Sequence, residues 1–349
     1  MSLRRLLIFF FVLILFFSPP FYYLLSKFKG EFVLEISLGI VFLLALSFPL
    51  FRKTKIVKVC YLAMGFMSFL LVSCLLADLI SLITKYQISI GKILLLALLA
   101  TAFGLWRGRK PHIKKVEITL PDLPHELKGF KIVHISDLHV GKNIGKSYVD
   151  YIVQETLKLS PDLIALTGDI GDSEASLHGK DLEGFKEFKP PHGIYYVPGN
   201  HEYYWNLNEW FDVMKSFGAN ILLNESQEIS YGSSKILIAG ITDTMDRKNP
   251  PDLNKPLRGA DSNSFKILLS HRPDPAILAS KLGYHLQLSG HTHGGQFFPW
   301  TLAVRFIHRH HLGLFQEGPL KIYVSGGTGS WGPLLRFGSQ AELTLLTLT

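Results

Sequence analysis

Cysteine is nearly absent: Cys60 and Cys74 are the only two in 349 residues, and both lie in an apolar run. The chain beyond them can therefore form no internal disulfide and no thiolate metal site. Acidic residues are just as scarce at the start, where Glu31, Glu35 and Asp78 are the only three before residue 116. The long apolar runs there hold no histidine, and nothing in them resembles a transport path, so they read as an anchor. No internal repeat or low-complexity segment is visible.

A net charge of +8 would suit a nucleic-acid partner if it were spread over a folded surface. It is not. Residues 1–115 hold 15 Lys and Arg against three acidic residues, which leaves 21 basic and 25 acidic residues in the rest of the chain. The later part is net −4, so no nucleic-acid partner is expected there.

The composition changes abruptly near Trp106, which predicts a transmembrane region over 1–110 and a globular domain over 116–349. Four apolar runs are long enough to cross a bilayer core of ~30 Å: Leu6–Leu25, Phe32–Phe51, Val59–Ile80 and Ile88–Trp106. Pro19 and Pro20 are expected to kink or shorten the first, and Asp78 to sit at the interface. Arg4, Arg5, Arg52, Lys53, Lys55, Lys58, Arg107, Arg109, Lys110, Lys114 and Lys115 flank one side, against Lys27, Lys29 and Lys85 on the other. By the positive-inside rule this multi-pass arrangement places the globular domain in the cytoplasm.

From Val116 onward, short apolar segments end in polar, Gly-rich turns. Strands are predicted over Lys131–Ser136, Asp162–Thr167, Gly193–Val197, Lys235–Ile241, Lys266–Ser270, His285–Ser289, Lys321–Ser325 and Leu343–Leu348. Helical patterns cover Gly145–Leu159 and Leu207–Phe217, which makes the class α/β. Unusual residues collect just past the strand ends, where such sheets place their ligand sites. These are Asp137-Leu138-His139, Gly168-Asp169, Gly199-Asn200-His201-Glu202, Ser270-His271 and Gly290-His291-Thr292-His293. Imidazole with carboxylate suits Zn, Mn or Fe, and two such ions side by side clamp a phosphoryl group.

This series, Asp137-x-His139, Gly168-Asp169, Gly199-Asn200-His201-Glu202, His271 and Gly290-His291-x-His293, resembles the signature of the calcineurin-like metallophosphoesterases. The resemblance implies two mixed β-sheets in a sandwich flanked by helices, and a phosphohydrolase that uses two divalent metal ions. It further implies that Asp137, His139 and His293 hold one metal, that Asn200, His271 and His291 hold the other, and that Asp169 bridges them. His201 would protonate the leaving oxygen. The run Gly290–Gln296 and the ending Tyr323-Val324-Ser325-Gly326-Gly327 resemble a bacterial membrane-associated branch that includes the UDP-2,3-diacylglucosamine pyrophosphatases. Ala341 before Glu342, where relatives more often have proline, departs from that branch.

Substrate choice is sought in Gln296–Phe315, where Phe297, Phe298, Trp300, Phe306 and Ile307 mix with Arg305, His308, Arg309, His310 and His311. Large apolar residues beside a basic cluster suit an interface with anionic lipid, with Arg305, Arg309 and His308 as substrate-binding candidates. The expected partners are membrane lipids and a phosphorylated, lipid-linked substrate. The alternatives are a hydrolase of soluble nucleotides or phosphoproteins, or a sensor or scaffold that keeps a structural metal site. The orientation has a direct test. A C-terminal fluorescent-protein fusion is expected to be bright and a C-terminal alkaline phosphatase fusion inactive, and the opposite pair would place the domain on the other face.

Overall fold

The structure is a computed structural model that describes residues 3–51 and 54–349, so Arg52 and Lys53 lie outside the described residues. The chain divides into two compact units. One comprises the residues up to Arg109 together with Phe297–Pro299 and Gly332–Phe337; the other comprises Lys110–Gln296, Trp300–Trp331 and Gly338–Thr349.

The first unit is helical: α1 (Leu3–Lys27), α2 (Phe32–Leu46), α3 (Phe48–Phe51), α4 (Val57–Thr84) and α5 (Ile90–Gly108). Helix α1 runs through Pro19 and Pro20. Among the described residues, two helices are long and apolar enough to cross a membrane: α4, with 28 residues, and α5, with 19. These two apolar helices point to membrane association. The expected second span over Phe32–Phe51 is interrupted, because α2 stops after 15 residues and Ser47 N–H turns back onto the carbonyls of Leu43 and Leu44. Pro49, two residues on, has no N–H to continue the ladder and sits in the first turn of α3, where none is needed. Asp78 is paired: its carboxylate takes Lys27 Nζ at 2.5 Å and Tyr23 OH at 2.7 Å.

Glycines on α4 and α5 seat the chain segments that join this unit from later in the sequence. A Cβ at Gly108 would overlap the Leu334 carbonyl, and one at Gly65 would overlap Leu335. Arg336 N–H donates to Gly104 O at 3.0 Å, and Phe69 packs its ring on Phe297 and Phe337. Phe297 is therefore buried within this unit, which corrects its expected place on an outward lipid-facing surface.

The second unit is a two-sheet sandwich. Its strands are β1 (His112–Ile118), β2 (Lys131–Ile135), β3 (Leu163–Thr167), β4 (Ile194–Val197), β5 (Ala219–Ile221), β6 (Glu225–Tyr231), β7 (Ser234–Gly240), β8 (Phe265–Leu269), β9 (Leu286–Ser289), β10 (Gly313–Glu317), β11 (Leu320–Val324) and β12 (Glu342–Leu348). They form two six-stranded mixed sheets, ordered β1-β12-β2-β3-β4-β5 and β10-β11-β9-β8-β7-β6. The helices are α6 (Lys146–Leu159), α7 (Ala175–His178), α8 (Asn200–Tyr204), α9 (Leu207–Ser216), α10 (Ala276–Lys281) and α11 (Trp300–Ile307). The eight predicted strands are the inner ones, and β1, β5, β6 and β10 are additional. Those four occupy the four sheet edges, where one side of each strand meets water. β5 is only three residues long and β6 is mostly polar, so neither shows the apolar alternation that marks an inner strand.

Side chains that alternate across the pleat build the core. Ile132, Ala165 and Tyr195 of one sheet meet Ile236, Ile238, Ile267 and Leu288 of the other. The intervening Ala239 and Leu268 point outward and pack with Ala276 and Ala279 of α10. Each fully buried Ile or Leu contributes about 1.5–3 kcal/mol.

His134 on β2 is fully buried, with Nε2 2.7 Å from Thr167 Oγ1 and, among the described residues, no hydrogen-bond partner for Nδ1. Burial pushes its pKa down to about 3. The folded ring stays neutral, whereas the unfolded ring takes up a proton below its ordinary value of 6.5. Stability from this group is therefore complete above pH 6.5 and is lost as pH falls toward 3. Replacing His134→Gln is expected to flatten the acid loss by up to ~1.4 kcal/mol per pH unit in that window. Unfolding midpoints of wild type and variant at pH 7 and pH 5 test this; equal slopes would mean the ring is not held neutral in the fold.

Candidate metal centre

All the expected ligands follow strand ends closely. Asp137 follows β2, Asp169 follows β3, Asn200 opens α8 after β4, His271 follows β8 and His291 follows β9. The chain must reverse sharply there, and the backbone records it: Asp137, His139, Asp169, His291 and His293 all have φ between 51° and 72°. These five make up more than half of the nine non-glycine residues in the left-handed region among the described residues. Such conformers cost roughly 1–3 kcal/mol each, and strain of this kind gathers at functional sites. Glycine is required beside them for close approach. A Cβ at Gly290 would overlap Asp137 Oδ2 and Ser136 Oγ, and one at Gly199 would overlap Asp169 Oδ1.

The turns gather three overlapping donor groups, of which the one made by His139, Asp172 and His201 includes two residues outside the expected ligand set and the other two are built from expected ligands. Asp137, His139 and His293 form one, with His139 Nε2 3.0 Å from His293 Nε2, and Asp137 Oδ1 3.4 Å from His293 Nε2. Asp169, His271 and His291 form the second, with His271 Nε2 3.3 Å from Asp169 Oδ2 and 3.2 Å from both His291 Nδ1 and Asn200 Oδ1. Asp169 Oδ2 also lies 3.9 Å from His139 Nε2, so one oxygen faces both groups.

Hydrogen bonds behind the groups set which atoms face inward. His271 Nδ1 lies 2.8 Å from the Thr167 carbonyl and must donate to it, which leaves the Nε2 lone pair turned toward Asp169 Oδ2. Two electron-rich atoms 3.3 Å apart repel unless a cation or proton lies between them. In the protein alone a proton fills this role: burial disfavours a charged His271, but Asp169 outweighs burial and pushes it up to about 10. Burial likewise opposes ionisation of Asp169, yet His271 and His201 hold its carboxyl well below the usual range. Burial takes His139 down to about 4 and, with His271 and Arg272 nearby, His291 down to about 2, so both rings are neutral donors. The donor set thus fits divalent ions of the Mn, Zn or Fe class.

His201 stands beside both groups. Its Nδ1 is 2.7 Å from Asp172 Oδ1, and its Nε2 is 3.9 Å from Asp169 Oδ2. The rings of Tyr204 and Trp331 flank it at 5.1 and 6.2 Å. The Glu202 carboxylate accepts the N–H groups of Asp169, Ile170, Gly171 and Gly199.

The three substrate-binding candidates separate. His308 has its ring 6.2 Å from that of His291, whereas Arg309 is paired with Glu317 at 2.9 Å and Arg305 lies on the exposed side of α11. His310 is buried against Glu317, and the His311 ring packs on Phe315. Sequence reasoning missed Asp172, Arg272 and Asp243. Asp172 follows Asp169 by three positions and Arg272 follows His271 directly, so adjacency to a ligand was the available signal.

The family model for calcineurin-like phosphoesterases matches residues 130–295. A metallophosphoesterase of Campylobacter jejuni is 35% identical over 253 residues, covering 69% of this chain and 64% of that protein, so the chain spans slightly under two thirds of that relative's length. A metallophosphoesterase of Bacillus subtilis is 32% identical over 257 residues, covering 70% of this chain and 89% of that protein. A transmembrane protein with metallophosphoesterase domain of Bos taurus is 34% identical over 256 residues, covering 69% and 58%.

If Asp169 Oδ2 serves both donor groups, Asp169→Ala is expected to reduce bound manganese to near zero, whereas His201→Gln retains it. Elemental analysis of the manganese-loaded full chain decides between these, and loss of only half the metal from Asp169→Ala would show that the groups act independently.

Proposed function

Because the chain belongs to the calcineurin-like phosphoesterase family, we propose that it is a metal-dependent phosphohydrolase that cleaves a phosphodiester or pyrophosphate bond beside these ligands. Asp137, His139 and His293 would hold one divalent ion, Asn200, His271 and His291 the other, with Asp169 common to both. Such ions, when bound, make water a nucleophile at neutral pH and draw negative charge from a phosphoryl group. The observation that carries this reading is the position of Asp169 Oδ2, within 4 Å of ring nitrogens from His139, His271 and His201.

His201 is the proton donor in this reading. Burial lowers its affinity for a proton, but in the chain without ions Asp169 and the hydrogen-bonded Asp172 outweigh burial and raise it to about 9; with Asp169 engaged by ions, Asp172 remains to hold the ring's proton. Asp172 fixes Nδ1, which leaves the Nε2 proton free to pass to a leaving oxygen.

The substrate reading is a lipid-linked phosphoester, of which the UDP-2,3-diacylglucosamine pyrophosphate bond is an example, reached from the cytoplasmic face of a multi-pass anchor. Helix α11 supports it, because Phe306 and Ile307 are 89% and 72% exposed beside Arg305 on a segment that begins seven residues after His293. An apolar and basic surface of this kind suits headgroups and the acyl boundary.

The test uses the detergent-solubilised full chain with Mn²⁺. Wild type is expected to hydrolyse a chromogenic phosphodiester and His201→Gln to be about 10²–10⁴-fold slower at unchanged metal content, with a smaller loss for better leaving groups. No hydrolysis by the metal-loaded wild type rejects the hydrolase. Acylated substrate is expected to be preferred over its deacylated form, and Phe306→Ser/Ile307→Ser to remove the preference; equal rates throughout reject the lipid reading.

A further inference from the structure

The pair Arg272–Asp243 lies against the candidate centre and occupies none of the ligand positions. Asp243, just past the end of β7, is buried; its Oδ1 accepts Met245 N–H at 2.9 Å and its Oδ2 accepts Arg272 Nε–H at 2.8 Å. The guanidinium is thereby fixed by one edge, while 24% of the Arg272 side chain remains exposed. Its other nitrogens turn to the ligands: Nη1 lies 2.8 Å from His291 Nε2 and Nη2 lies 3.4 Å from Asn200 Oδ1.

Arginine carries five N–H donors and no acceptor, and it keeps its charge in proteins. That places it in conflict with a loaded centre. If His291 were to hold an ion through Nδ1, the atom facing His271, its neutral ring would keep the proton on Nε2 and could not accept from Nη1. If Asn200 Oδ1 ligates, one of its two lone pairs is taken by the ion, and its 3.4 Å contact with Nη2 is weakened. A partly exposed fork with Nη1 unmet and Nη2 only weakly met then borders the site, and its counter-ion Asp243 is already engaged at Nε. The non-bridging oxygens of a phosphoryl group match such a fork in charge and spacing.

We propose that Arg272, oriented by Asp243, is the anion-recognition fork that grips non-bridging oxygens of a phosphate ester or anhydride at this centre. The inference rests on the phosphohydrolase reading. Arg272 touches substrate in it, and Asp243 is a positioning residue.

The probe is inorganic phosphate, titrated calorimetrically into the manganese-loaded, detergent-solubilised full chain, with manganese content measured on the same samples. Arg272→Gln is expected to keep the metal and weaken phosphate binding about 10–100-fold, the loss expected for a charge-assisted pair. Arg272→Lys keeps the charge without the fork and falls between, and Asp243→Asn weakens phosphate in the same direction. With a chromogenic phosphodiester, KM should rise more than kcat falls in all three. Phosphate affinity unchanged in the Arg272 variants overturns the proposal, as does a loss that simply follows lost manganese. If Arg272→Gln does not fold, the other two variants decide. Failure of the underlying reading is separable: a wild type that binds phosphate through Arg272 but hydrolyses no diester refutes the hydrolase alone, and one that hydrolyses with Arg272-independent phosphate binding refutes the fork alone.

Discussion

The second unit is organised around one buried carboxylate. Asp169 stays ionised although it is almost wholly buried, and burial of an unpaired charge would cost several kcal/mol. His201 N–H donates to Oδ1 at 2.8 Å, which leaves Oδ2 to the imidazole nitrogens. Glu202 completes the arrangement from behind, taking the N–H groups of the Asp169 turn and of Gly199. Burial and the nearby Asp169 raise Glu202 to about 7, so its hydrogen bonds to four peptide N–H groups are what favour its charged form. Glu202 thereby ties the turn after β3 to the loop after β4.

Sheet geometry explains why these loops meet. The turns after β2, β3 and β4 come from one sheet and those after β8 and β9 from the other, all at the C-terminal ends of strands that run parallel to their sheet neighbours within each set. Left-handed turns then fold the candidate ligands inward, and Gly199 and Gly290 leave room beside them where a Cβ would overlap Asp169 and Asp137. Hydrophobic packing between the sheets supplies the rigidity that holds five strained residues in place.

Two further carboxylates, Asp172 and Asp243, sit one step behind the ligands and each orient a cationic side chain, His201 and Arg272. The division follows from chemistry. Imidazole near neutrality can give up a proton, whereas guanidinium can only bind.

The local sequence determined the inner strands, the strand-end positions of all seven expected ligands, and the apolar helices α4 and α5, because each is encoded in short-range periodicity or in the few residues past a strand. Edge strands such as β5 and β6 were not legible, since a strand half in water needs no apolar alternation. Only the tertiary structure decided that Asp78 pairs with Lys27, that Arg309 is taken by Glu317 while His308 approaches His291, and that Arg272 reaches from Asp243 to the ligands. Asp78 and Lys27 are 51 positions apart, and Asp243 and Arg272 are 29 apart. Such contacts exist only once packed helices and converging strand ends bring distant turns within hydrogen-bonding distance.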